Sequence, residues 1–87
     1  MDLIQRHLNV LRLVMANEPI GIIKLSELSD MPQHKVRYSL RVLEHHRIIR
    51  PSPQGAVSTD KARDFLKSFP KELEALAKEM DQLAESD

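Results

Sequence analysis

The sequence predicts a mainly α-helical domain that closes on one small β-hairpin and then continues into a separate amphipathic helix. Three observations predict it. Apolar residues recur at intervals of three and four over residues 3–15, 36–43 and 62–83. The stretch Ser52-Pro53-Gln54-Gly55 has turn chemistry and stands between two short β-prone runs. Prolines at 19, 32 and 70 break the helical patterns into separate pieces.

The first helix is read from Leu3 or Ile4, Leu8, Leu11 and Val14 or Met15, and Asn17-Glu18-Pro19 stops it. Pro19-Ile20-Gly21-Ile22-Ile23 is a short apolar run with a glycine, expected as a brief strand. Lys24–Asp30 makes about two helical turns with Leu25 and Leu28 on one face. Met31 and Pro32 break the chain, and Pro32 suits the first turn of a new helix. There Val36, Leu40, Leu43 and Arg47 fall on one face. Gln33 and Arg37 flank that stripe, and His34, Tyr38, Arg41 and His45 lie opposite. This helix is expected to be held from behind, with its charged face free.

Ile48-Ile49-Arg50 and Ala56-Val57-Ser58 are the two strands of the expected hairpin. Ser58 or Thr59 then caps a helix beginning Asp60-Lys61-Ala62. Ala62, Leu66, Phe69, Leu73, Leu76, Met80 and Leu83 follow at spacings of 4, 3, 4, 3, 4 and 3, a seam of period 3.5. Pro70 marks either a kink in it or the first residue of a separate last helix.

At 87 residues the chain makes one domain, whose core buries only about 60–65% of the unfolded surface. A second subunit would help such a marginal core. The composition, 41% hydrophobic and 30% charged, is that of an ordinary globular chain. No apolar run approaches the ~20 residues of a membrane span. Asp2, Gln5 and Arg6 interrupt the start, so no leader and no membrane partner is expected, and a cytoplasmic location is. With no cysteine there is no disulfide framework and no thiolate metal site.

Overall neutrality hides a charge split. Residues 31–50 carry Lys35, Arg37, Arg41, Arg47 and Arg50 against Glu44, a net of +4. Residues 70–87 carry Lys71 and Lys78 against Glu72, Glu74, Glu79, Asp81, Glu85 and Asp87, a net of −4. One segment attracts polyanions and the other is repelled by them.

Two helices joined by a tight turn, the second basic on its exposed face, form a helix-turn-helix, and the hairpin after it reads as a wing. The stretch LSELSDMPQHKVRYSLRVLEHHRIIRPSPQGAVST resembles the winged helix-turn-helix transcriptional regulators, in the broad group of the MarR and ArsR repressors. Among these it is most similar to compact regulators common in archaea. Leu25, Leu28, Met31, Val36, Leu40, Leu43, Glu44 and Ile48-Ile49 carry the resemblance, which covers roughly residues 4 to 66. Residues 1–66 are thus expected to form the DNA-binding domain, and residues 67–87 a C-terminal coiled-coil-like dimerisation helix. The sequence departs from the family at two positions. Asp30 stands where these turns carry glycine, and Arg47 where glycine ends the recognition helix, which places His46 or Arg47 in a left-handed conformation.

The resemblance implies residue roles. Gln33, His34, Arg37, Tyr38 and Arg41 take the groove-facing or flanking positions of a recognition helix over 32–46. Arg37 and Arg41 suit guanine and Gln33 suits adenine. Lys35 suits phosphate. Arg50 and Gln54 belong to a wing over 48–58 that lies on the DNA backbone. Leu66, Phe69, Leu73, Leu76, Met80 and Leu83 are the expected contacts of a homodimer.

The remaining residues bring no competing chemistry. His45 and His46 point ~100° apart on a helix, and His34 stands about 16 Å from His45, so no metal site is expected. Tyr38 suits stacking on a base or packing on a neighbour equally, while Phe65 and Phe69 suit packing. No phosphate loop, nucleophile–base pair or paired carboxylates are present, so neither an enzyme nor a cofactor is expected. The expected function is sequence-specific binding of double-stranded DNA by a dimeric transcriptional regulator. The alternative is a winged-helix protein-interaction module within a larger transcription or processing complex.

Overall fold

A computed structural model describes residues 3–68 as four helices and a two-stranded sheet. The order is α1 (Leu3–Asn17), α2 (Ile22–Ser29), α3 (Gln33–His45), β1 (Ile49–Ser52), β2 (Gly55–Ser58) and α4 (Lys61–Ser68). Of the expected dimer contacts, Phe69, Leu73, Leu76, Met80 and Leu83 lie outside the described residues.

Helix α1 supplies the floor of the core. Leu8, Leu11 and Val14 repeat at helical spacing and are buried, as is Val10 beside them. Asn17 ends the helix by donating its side-chain amide to the Leu13 carbonyl, 2.8 Å away. Leu25 from α2, Val36 and Leu43 from α3, Ile48 and Ile49 from the hairpin and Ala62 from α4 complete one cluster. Each fully buried leucine or isoleucine of this set contributes about 1.5–3 kcal/mol of transfer free energy.

The linker between α1 and α2 departs from the expected strand. Only Ile20 pairs, in a single antiparallel bridge to Ala56, with N–H to carbonyl distances of 3.1 and 2.8 Å. Gly21, in extended geometry, precedes the helix, and Ile22 and Ile23 are its first two residues. Leu25 is fully buried, but Leu28 is 45% exposed and does not share its face as expected. Two successive leucines three apart sit about 300° around a helix, and here the core reaches only one of them.

Helices α2 and α3 each close through a left-handed residue that is not glycine. Asp30 has φ 56° and ψ 35°, and the amides of Asp30 and Met31 both return to the Ser26 carbonyl. Arg47 has φ 62°, whereas His46 stays at φ −93°. The Arg47 amide donates to Glu44 and the Ile48 amide to Leu43, each at 2.9 Å, which is a Schellman closure with arginine in place of glycine. Leu43 and Ile48 bury together beneath it, the apolar contact that accompanies this motif.

In the hairpin, Ile49 faces Ser58, Arg50 faces Val57, Pro51 faces Ala56 and Ser52 faces Gly55. Pro53 and Gln54 form the two-residue loop, and the Ser52 hydroxyl donates to the Gly55 carbonyl at 2.6 Å. Gly55 has φ 136°, and a Cβ there would lie 2.5 Å from the Ile20 carbonyl carbon. Only glycine lets the linker and hairpin backbones approach this closely. Glu18 adds a second stitch, accepting from the Ser58 amide at 3.3 Å and from its hydroxyl at 2.7 Å.

Thr59 precedes α4 as expected but does not cap it through its side chain. Its hydroxyl is directed instead to the carbonyls of Arg47 and Ile48, at 2.6 and 3.0 Å. Those carbonyls follow the Schellman closure and take this donor, so the hairpin exit is tied back to the end of α3. Among the described residues no helix is long and apolar enough to cross a membrane.

Candidate nucleic-acid interface

Helix α3 decides the site, and its core face is rotated from the one expected. Val36, Ser39, Val42 and Leu43 are buried, whereas Leu40 is only half-buried. Counting apolar residues alone skipped Ser39, and with it the true centre of the buried arc. Ser39 is buried because α1 brings a polar partner to it: His7 Nδ1 and Ser39 Oγ share a hydrogen bond of 2.7 Å, both residues being fully buried. A buried hydroxyl without such a partner would cost roughly 1–3 kcal/mol.

The rotation moves the candidate residues. Gln33, Arg37 and Arg41, spaced by four, stand along the exposed face with His34 and His45 beside them, all exposed. Arg37 was expected at the flank and stands instead near the middle. Tyr38 was expected outward. It is half-buried at the edge of the core face, its ring centroid 5.8 Å from that of His7. The packing of Tyr38 on α1 removes much of its ring from any external partner. Lys35, three residues before Tyr38 and on the same side of the helix, is exposed in the first turn of α3, beside the turn between α2 and α3.

The hairpin carries its candidates outward. Ile49 faces the core while Arg50, next along β1, is exposed, and Gln54 is exposed at the loop tip beside exposed Pro53. Among the described residues none of Lys35, Arg37, Arg41 and Arg50 makes an ion pair; the pair that forms is Lys24–Glu27 on α2, at 3.8 Å. The basic face is therefore solvated and available to an anionic partner. Glu44 is the one acid on the exposed part of α3.

Leu66, the first of the expected dimer contacts, is half-buried and packs against the domain's own core together with Phe65, as does the fully buried Ala62. The seam thus begins as an intramolecular contact. His45 and His46 place their rings edge-on with centroids 4.9 Å apart, and no group of three metal-ligating side chains forms among the described residues.

Sequence reasoning missed Arg6. It is half-buried on α1 and, with Met31, Pro32 and Lys35, lines a groove at the α2–α3 turn. A single arginine in an apolar helical pattern has no local signature, and only the crossing of α1 under α3 reveals it.

Three helices followed by a two-stranded antiparallel hairpin make a winged-helix-like fold, and comparison with solved structures agrees. The chain is similar to a protein of unknown function from Listeria innocua Clip11262, with TM-score 0.64 and 22% identity. That match covers 84% of this chain and 52% of the Listeria protein, so the chain spans about half of its length. It is also similar to the activation domain of the phage T4 transcription factor MotA, with TM-score 0.62 and 16% identity over 92% of this chain and 77% of that one. At these identities the likeness is one of fold. No family model and no curated protein matches the chain.

Proposed function

We propose that the chain binds double-stranded DNA as a transcriptional regulator, with α3 in the major groove and the hairpin on the flanking backbone. The observation that carries this reading is the exposed face of α3. Gln33, His34, Arg37 and Arg41 stand together there, and neither arginine is paired with an acid. A basic helix face, presented by a helix-turn-helix and followed by a wing, fits a groove-entering element. Arg37 and Arg41 would fork onto guanine edges and Gln33 onto adenine, while Lys35, Arg47 and Arg50 would meet phosphates. In this reading the acidic residues 70–87 pair two chains away from the DNA. That places two recognition helices about 34 Å apart, one helical turn.

A dimer neutralising on the order of six phosphates gives a log–log salt slope near −5. Fluorescence anisotropy of a labelled duplex between about 50 and 200 mM salt reads it. A slope near zero, or no binding at the low end, removes the proposal. On a selected site, Arg37→Ala or Arg41→Ala should cost about 1–3 kcal/mol and relax preference at particular base pairs.

A second reading has its own support. Ile23 is 63% exposed and Leu28 45% exposed on α2, and one structural neighbour is named as an activation domain. Both suit a module that contacts another protein of a transcription complex. In that case Ile23→Ser with Leu28→Ser would abolish the partner contact and leave any duplex affinity untouched.

A further inference from the structure

We infer that the groove between Arg6 of α1 and Lys35 of α3 seats a single phosphate of the DNA backbone, held by both cations at once. The inference rests on the DNA-binding reading above and adds to it a contact from outside the helix-turn-helix. Arg6, Ser29, Asp30, Met31, Pro32 and Lys35 line the groove, whose volume is about 340 Å³. That is some ten times the ~30 Å³ share of a water molecule, enough for one phosphodiester group.

The charges point to an anion. Arg6 is half-buried and lines the groove, yet among the described residues it makes no ion pair. Lys35 faces the same groove and is likewise unpaired. Asp30 is the one acid on the lining, and it pairs with neither cation, so the groove keeps a net charge of +1 from two cations and one acid. A guanidinium in this state gains most from a partner that takes two parallel N–H bonds, as a phosphate does, while Lys35 contributes a point charge.

The position gives the contact a consequence. Asp30, Met31 and Pro32 form the turn that launches α3, so a phosphate fixed here sets how deep α3 enters the groove and in which register. Arg6 then acts as a positioning residue, reading no base itself.

The test uses the full chain and its variants Arg6→Gln, Arg6→Lys, Lys35→Gln and the double Arg6→Gln/Lys35→Gln. Affinity is measured by anisotropy on a selected duplex and a random one across the salt range. Each single Gln variant should weaken both duplexes by the same factor, and Arg6→Lys, which keeps the charge but not the two parallel N–H bonds, should keep the wild-type salt slope while losing part of the affinity. The double variant should lower the salt slope by about 0.9 per bound subunit, one phosphate's worth. A fall of about 1.8 per subunit means two separate phosphates and overturns the shared seat. Loss confined to the selected duplex, or no change with Arg6→Gln, also overturns it.

Lys35 is exposed, so Lys35→Gln folds whatever Arg6→Gln does. A scan of single methylphosphonate substitutions then finds one backbone position that costs the wild type and costs Lys35→Gln less. Finding no such position refutes the seat. Saturable protection of the Arg6 side chain by inorganic phosphate, with the double variant's DNA slope unchanged, assigns the groove to a free anion and refutes it as well. If the wild type itself shows no salt slope, the DNA-binding reading fails first, and that outcome is distinct from all of these.

Discussion

Replacing Gly55 by alanine tests the join between hairpin and core. The new Cβ would lie 2.5 Å from the Ile20 carbonyl carbon, 2.6 Å from its oxygen and 2.8 Å from its nitrogen. All three are backbone atoms, so no side chain can swing away to relieve the overlap. The φ of 136° adds backbone strain of about 1–3 kcal/mol for any residue with a Cβ. Relief requires the Ile20–Ala56 bridge to open, which gives up two hydrogen bonds worth about 0.5–1.5 kcal/mol each. The combined cost is about 2–6 kcal/mol, against a total stability of about 4–13 kcal/mol for 87 residues. At about 4–8 °C per kcal/mol, the melting temperature should fall by at least roughly 8 °C. Circular dichroism melts give the global value, and amide exchange of Ile20 and Ala56 locates it. An unchanged melting temperature refutes the close-approach argument. A lower one with both amides still protected shows that the strain is released elsewhere.

Arg47→Gly relieves a left-handed residue without disturbing the Schellman closure, and should raise stability by about 0.5–1 kcal/mol in urea titration. A loss of stability would mean that the Arg47 side chain contributes more than its strained backbone costs. Leu43→Ala opens a cavity at a fully buried site and should cost about 2–5 kcal/mol, whereas half-buried Leu40→Ala should cost clearly less. Equal losses would contradict the rotated core face. Deleting residues 70–87 should give a monomer in light scattering and weaken a palindromic duplex far more than a half-site. A truncated chain that stays dimeric places the interface elsewhere, most simply on α1.

Element order and most boundaries were legible because prolines and apolar spacing act locally. Asn17-Glu18-Pro19 ends α1, Pro32 starts α3, and the hairpin loop falls at Pro53-Gln54. The left-handed residue at the end of α3 was narrowed to His46 or Arg47 because the chain needed glycine there and had none. What stayed hidden depends on partners distant in sequence. Ser39 looks like surface until His7, 32 residues away, is placed against it, and without Ser39 the face of α3 is misjudged by roughly a quarter turn. That error carried Tyr38 outward and Arg37 to the flank. Ile22 and Ile23 have strand-like side chains, but the core receives Leu25 only if the chain turns helical immediately after Gly21. Arg6 belongs to the same class, since its groove exists only where α1 meets the α2–α3 turn.

The division of labour within α3 has a consequence for how the protein would change partners. Val36, Ser39, Val42 and Leu43 fix the helix from one side, and the Schellman closure at Arg47 hands it directly to β1. The wing is then held by backbone and buried groups: the Ile20–Ala56 bridge, Thr59 on the carbonyls of Arg47 and Ile48, and Ile49 in the core. Glu18 on Ser58 reinforces it from the surface. None of these contacts uses Gln33, Arg37, Arg41, Arg50 or Gln54. Exposed side chains of that kind usually shift stability by no more than about 0.5 kcal/mol when exchanged. Each good base contact, by contrast, is worth about 1–3 kcal/mol of discrimination. In a DNA-binding role, the exposed face is therefore free to alter its preferred sequence with little effect on folding, while Ser39 and Gly55 are not free at all.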